Sequence, residues 1–273
     1  MDQPDFWIAT IASIESPCLD TRPFALHQLL HTATAETGAR AAISGLGGHL
    51  LLGALLNTAR EQSTEATESD ILTQYRKVIS RDPPADSPLW SAETAAVLHE
   101  EERWEETLHA RKLARQAAKF SDSRQGYYYL DLHLRLPDLV VNPLQQLAIQ
   151  ERLVVRSPYL NPHMLEMLTC LPAELEDGTP KTALAAQLLR RHLPDSVASP
   201  LPLIAPAASL SRIEDSELLQ QTLSAEALQA TGIFDVQAVE ALLRRARGKA
   251  ASRELLLVFT TQLLYRLFEM TKE

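Results

Sequence analysis

The chain has 273 residues, 45% of them hydrophobic, with 35 acidic side chains against 26 basic ones and a formal charge of -9. That length and apolar content supply the core of one large domain or two small ones. The acidic balance argues against nucleic acid or an anionic membrane as the main partner, because both are held by clustered Lys and Arg.

Cys18 and Cys170 are too few for a disulfide framework or a zinc site. No uninterrupted apolar run approaches the ~18 residues of a membrane span, and Met1-Asp2-Gln3-Pro4-Asp5 lacks the basic start of a signal peptide. A cytoplasmic protein is the expectation. Nine glycines, with much Leu, Ala, Glu, Gln and Arg, favour helices over sheets.

In chain order, Phe6-Trp7-Ile8-Ala9-Thr10-Ile11-Ala12 is a β-prone run between Pro4 and Pro17 and reads as an edge strand or a stray extended segment. Residues 23–37 read as an amphipathic helix with Phe24, Leu26, Leu29, Leu30 and Ala33 inward and Gly38 as its stop. His27 and His31 lie four apart on it. With no HExxH pattern and no third ligand in view, they are expected to be an exposed or capping pair and not a metal site.

The stretch Ile43-Ser44-Gly45-Leu46-Gly47-Gly48-His49-Leu50-Leu51-Leu52-Gly53 follows an apolar lead-in, Ala41-Ala42, and precedes leucines at helical spacing. It reads as strand, glycine turn and helix. Glycines let a backbone approach a ligand closely and a helix start offers N–H groups to an anion, so the turn is either a phosphate cradle or simply a tight turn.

Residues 61–70 read as a polar loop before a helix carrying Ile71, Leu72, Tyr75, Val78 and Ile79. Arg81-Asp82-Pro83-Pro84-Ala85-Asp86-Ser87-Pro88 is the strongest breaker and the expected place of any subdomain boundary. Two helices are expected next, over 92–98 and 100–118. The second has Glu101, Glu102, Glu105 and Glu106 early and Arg111, Lys112, Arg115 and Lys119 late, a solvated helix matched to its own dipole. Tyr127-Tyr128-Tyr129 opens a further helix, with at least one tyrosine expected at the surface.

The glycine turn resembles the second nucleotide-site motif of the asparagine synthetase family, SGxG(A/G)DE-L-x-G. A second anchor resembles the family's E-x-R-x-P-(F/Y)-L-D stretch with its following helix, Leu-Pro break, Lys-bearing helix and second Leu-Pro. Arg156, Pro158, Tyr159, Leu160, Glu166, Leu171, Pro172, Lys181, Leu184, Leu193 and Pro194 fit it in order. The tail, with Leu223, Gly232-Ile233-Phe234-Asp235 and a leucine-rich last helix over 255–268, resembles the family's closing segment. The resemblance runs from about residue 17 to residue 268.

The resemblance implies a mainly α protein with a small remnant parallel β-sheet, a partial adenine-nucleotide α-hydrolase-like fold over residues 1–273. It also implies ATP and Mg²⁺ as cofactors of an amide ligase that adenylates a carboxyl group. The family's first phosphate loop, SGG-x-(D)-S, has no counterpart before Ser44, and neither that loop's strands nor an N-terminal glutaminase is expected.

The family's metal-holding Asp is His49 here, the position after it is Leu50, and the variable third position is Leu46. The carboxylate before the motif arginine is Val154, and the upstream Asp-Arg pair is Gln145-Gln146. Residues 195–211 contain no Lys or Arg where the family has a basic segment for pyrophosphate. Each loss removes a group that would stabilise transition-state charge, so no catalytic and no metal-binding residue is assigned.

Any surviving ligand contact is expected at Ser44, Gly45, Gly47 and Gly48, then at Arg156 and Lys181. Three readings stay open. The first is a degenerate family domain retained as a partner or scaffold. The second is one half of a two-chain amide ligase of the asparagine synthetase or lasso-peptide cyclase kind, completed by a protein that supplies the missing nucleotide-binding half. The third is a purely structural helical interaction protein whose exposed sheet edge is covered by a partner.

Overall fold

The β-prone run at the start of the chain is a helix. Thr10 is fully buried on it together with Trp7, Ile11 and Ile14, so the stripe at three- and four-residue spacing sets the conformation and overrides the propensity of its β-branched residues.

The computed structural model describes residues 4–52, 71–75, 83–100, 107–171, 183–192, 217–246 and 252–270. The first elements are α1 (Pro4–Ile14), α2 (Arg22–Thr37), β1 (Ala41–Ile43), α3 (Gly48–Leu51), α4 (Ala92–Glu100), α5 (Leu108–Ala117) and α6 (Ser123–Leu130). Then come α7 (Asn142–Gln150), β2 (Val154–Arg156), α8 (Pro162–Cys170), α9 (Leu184–His192), α10 (Glu217–Thr222), α11 (Ala225–Thr231), α12 (Val236–Ala246) and α13 (Arg253–Leu267). Residues 71–75 are also helical. The protein is mainly α with one small parallel sheet, as the sequence implies.

The main core joins α1, α2, α7 and the C-terminal helices. Trp7 lies on Phe24 with ring centroids 3.8 Å apart and meets Phe259 of α13 edge-on at 5.8 Å. Leu147, Phe259 and Leu263 close the same cluster. The loop after α1 is tied to α13 through Thr260, whose Oγ1 accepts from the Cys18 N–H at 2.9 Å. The Cys18 thiol is buried here, and that burial pushes its pKa up to about 12.

A second cluster packs residues 71–75 against α5 and α6 through Ile71, Tyr75, Ala110, Leu113, Tyr127 and Leu130. The helix expected over 100–118 starts instead at Leu108. Thr107 caps it by accepting from the Ala110 N–H, and the acidic cluster of residues 101–106 lies outside the described residues. The loop of 61–70 and positions 78 and 79 lie outside them too. Tyr127 and Tyr128 are buried and Tyr129 is half-buried, so the tyrosine triplet is mostly core.

From Ser123 to Gln150 the backbone stays helical, α6 passing into α7 through two π-helical stretches, Asp131–Arg135 and Pro137–Val141. Pro137 opens the second stretch and has no N–H to give to the preceding turn. The wider turn accommodates its ring.

Helix α7 closes with a Schellman turn. The Leu153 N–H donates to the Ala148 carbonyl at 2.8 Å and the Arg152 N–H to that of Ile149 at 3.0 Å. Arg152 occupies the left-handed position at φ 53, where glycine is the usual residue. Arg152→Gly is expected to stabilise the fold by about 0.5–1 kcal/mol, the relief of the left-handed conformation less the entropy of a more flexible unfolded chain. A urea denaturation midpoint that falls would contradict this.

The Schellman turn aims the chain into β2, which pairs parallel to β1 in the register Ala41 with Val154, Ala42 with Val155 and Ile43 with Arg156. Ala42 and Val155 pack on the main core, while Ala41, Ile43, Val154 and Arg156 face outward. A tie remote in sequence completes the fold: Trp90 stacks on Phe234, and the Asp235 N–H donates to the Leu89 carbonyl at 2.9 Å.

Candidate functional site

The glycine turn leaves the carboxyl end of β1, as the strand-turn-helix reading requires. The Ser44 N–H donates to the Arg156 carbonyl at 2.8 Å, so the last residue of β2 sits beside the start of the turn. The Ser44 Oγ accepts from the Leu46 N–H at 3.2 Å, and the Gly48 N–H donates to the Gly45 carbonyl at 3.2 Å. The Leu46 and Gly48 amides are therefore engaged within the turn.

Two of its glycines are explained by packing. Gly47 has φ 89, and a Cβ there would stand 2.9 Å from the Leu160 Cδ2; a Cβ on Gly48 would touch the Tyr159 ring at 3.0 Å. Gly45 alone opens onto free space. Helix α3 has only four residues, and its Leu50 and Leu51 are buried with Leu136, Val140 and Leu168. The structure brings Ser44, Gly45, Gly47, Gly48 and the exposed Arg156 together at the carboxyl ends of the parallel strands. Lys181 and residues 195–211 lie outside the described residues.

A second polar cluster corrects the surface reading of His27, while His31 is exposed as expected. His27 is 2% exposed. Its Nε2 stands 3.0 Å from the Glu151 Oε1, and its Nδ1 stands 2.7 Å from the Thr10 Oγ1. His31 Nδ1 reaches Glu151 Oε2 at 3.1 Å, and the Thr34 hydroxyl donates to the same oxygen at 3.2 Å. The Phe6 ring stacks on His27 at 4.4 Å.

Burial lowers the His27 pKa more than Glu151 raises it, which favours the neutral ring. The Nε2 faces the Glu151 carboxylate, and Nδ1 meets the Thr10 Oγ1, whose hydroxyl donates to the Phe6 carbonyl at 2.8 Å. This is a hydroxyl-imidazole-carboxylate chain, but Thr10 is fully buried and its hydroxyl meets no substrate. The chain of bonds instead locks α1, α2 and the end of α7 together. Among the described residues no group of three His, Cys, Asp or Glu side chains is arranged to hold a metal.

A base whose native pKa lies below its unfolded value takes up a proton on unfolding, so its contribution is lost as pH falls below about 6.5. Stability is expected to drop as pH falls below about 6.5, with a smaller drop in His27→Gln. Equal slopes in the two proteins would contradict the neutral, buried imidazole.

The family model described as asparagine synthase matches residues 2–266. The chain belongs to the asparagine synthase family. No curated protein matches it. In this member of the asparagine synthase family, Leu50 is core, Leu46 packs between two hydrophobic clusters, and Gln145 and Gln146 are exposed on α7. Val154 does not enter the core; it stands 53% exposed on the outer face of β2.

Sequence reasoning missed β2 and the partners of His27. The first had a signal, Leu153-Val154-Val155 after a helix end. The second had none, because Glu151 is more than a hundred residues from His27 and only the fold brings them together.

Proposed function

We propose that this chain keeps the scaffold of the asparagine synthase family without its ATP chemistry and acts by binding another polypeptide. The observation that carries the reading is the turn at Ser44. Its hydroxyl is engaged by Leu46, the Gly48 N–H by Gly45, and the space over Gly47 and Gly48 is taken by Leu160 and Tyr159. A phosphate cradle needs those N–H groups unpaired and that space open.

Leu50 stands where the resemblance places a carboxylate, and it is buried among apolar side chains. A neutral scaffold gains from that exchange, since a buried charge without a partner is costly.

The test is ligand-linked stability. A site with a dissociation constant of about 5 μM would stabilise the fold by about 4 kcal/mol at about 5 mM MgATP. The expected result is no change in the unfolding midpoint; a shift of that size that disappears in Ser44→Ala would overturn the reading.

A second reading draws on Gly45 and Arg156, both exposed at the carboxyl ends of the strands, where open α/β sheets take their ligands. A companion chain bringing its own phosphate loop to these residues would make a two-chain amide ligase. Pyrophosphate release from ATP only when the two chains are mixed would favour it.

A further inference from the structure

The β1–β2 pair is covered on one face only among the described residues. Parallel strands are ordinarily covered on both faces. Here one face is bare: Ile43 is 82% exposed and Val154 53%.

Among the described residues one edge is unpaired as well. In a parallel ladder alternate residues of a strand turn their peptide groups toward the neighbour. The Val154 N–H donates to the Arg40 carbonyl at 3.0 Å and the Ser44 N–H to that of Arg156, so the even positions of β1 serve β2. Ala41 and Ile43 turn their peptide groups the other way, and among the described residues no strand meets them. An unpaired edge of this kind is a template for another strand.

The charge around the edge says what that strand carries. The protein has a formal charge of -9, yet residues 38–48 and 152–159 contain only three charged side chains, Arg40, Arg152 and Arg156. All three are exposed, and among the described residues none is paired with a carboxylate. Arg156 lies beside Ile43 in register, on the bare face. A second copy of the same surface would set arginine against arginine. A different chain with carboxylates at its ends would not.

We propose that the open edge of β1, with its bare face of Ala41, Ile43 and Val154, accepts an extended strand of a different polypeptide whose side chains alternate apolar and polar and whose ends carry carboxylates for Arg40 and Arg156. Main-chain hydrogen bonds supply the affinity, Ala41 and Ile43 on the neighbouring strand receive the apolar side chains, and the arginines select the acidic partner. The inference rests on the reading of the chain as a binding protein and names the chemistry of its partner.

The test uses the full chain and a fluorescent synthetic peptide of alternating Val and Thr with Asp at both ends, against the same peptide with Lys at the ends. The acidic peptide is expected to bind, the Lys peptide to bind about ten-fold more weakly, and Arg156→Glu to reverse that preference. Ile43→Asp is expected to abolish binding; the side chain is exposed, so the unfolding midpoint serves as the check on folding.

Equal binding of both peptides, or none by the folded chain, overturns the proposal. So does capture of tripolyphosphate that needs Arg156 while neither peptide binds, which would mark an anion site. A concentration-dependent dimer dispersed by Ile43→Asp would assign the edge to a second copy and overturn it as well. MgATP binding by the same sample would defeat the loss of ATP chemistry and leave the peptide result standing, so the two failures are distinct.

Discussion

Asp131→Ala lowers the folding free energy by about 3–4 kcal/mol, measured by urea denaturation near neutral pH, because it leaves two buried donors without their acceptor. Asp131 is fully buried at the first π-helical turn. The Tyr75 hydroxyl donates to its Oδ1 at 2.8 Å, and the Arg135 Nη1 reaches the same oxygen at 3.1 Å. The guanidinium is 20% exposed and finds some water, which keeps the expected loss at the lower end of the range for a broken buried pair.

Replacing all three partners by apolar residues of similar volume is expected to recover most of the loss, since the pair's desolvation then disappears with it. A mild effect of Asp131→Ala alone, under about 1 kcal/mol, would show that the network carries little.

The same carboxyl gives a pH dependence of unusual sign. Burial raises its pKa above the ordinary 3.8 despite Arg135 and Tyr75. The native state then holds a proton that the unfolded chain releases, so this group's contribution is full below the ordinary value and declines as pH rises through the raised one. Asp20 and Asp122, each held low by hydrogen bonds from Arg22 and Arg124 against the cost of burial, act in the opposite direction and lose their contribution as pH falls. Asp131→Asn is expected to remove the decline and leave theirs unchanged.

Phe24→Ala is the largest single loss expected in the main core, about 3–5 kcal/mol. The ring, on α2, is fully buried and lies against Trp7 of α1. Truncation leaves a void beside the Trp7 indole, so the cavity adds to the lost transfer energy. Domains of ordinary stability hold about 5–15 kcal/mol, and this variant stands near the limit of folding. Fluorescence of Trp7 reports the void directly. A native-like midpoint would show that α1 is not a structural part of the core.

Helices whose apolar spacing agreed with their propensity were legible in the sequence. Residues 22–37 are an example, with Pro23 at the start and Gly38 left-handed at the stop, although Leu29, expected inward, is 65% exposed. The strand, the Ser44 turn and the following helix were legible because glycine and leucine spacing changes sharply there. Where propensity and burial disagree, local reading fails. The segment at Phe6–Ala12 is rich in β-formers, but its stripe at three- and four-residue spacing is buried against α7 and α13, remote in sequence, and that burial makes it a helix. The break at Thr107 was hidden by charges that pair well on an unbroken helix.

The site was legible as a place and not as a chemistry. Ser44, the three glycines and Arg156 meet as the motif spacing implies. That Tyr159 and Leu160 fill the space over Gly47 and Gly48 depends on how the chain returns after β2, which no local pattern encodes. The His27–Glu151 lock is of the same kind: a polar pair across the fold, one member reading as surface until its helix is packed.

The most direct measurement is a two-dimensional amide NMR spectrum of the ¹⁵N-labelled chain, titrated to about 5 mM MgATP, a level that saturates any site of micromolar affinity. The account predicts that the amide signals of Ser44, Gly45, Leu46, Gly47 and Gly48 stay where they are. Saturable shifts of those signals, with loss of the effect in Ser44→Ala, would contradict it and restore the turn as a nucleotide site.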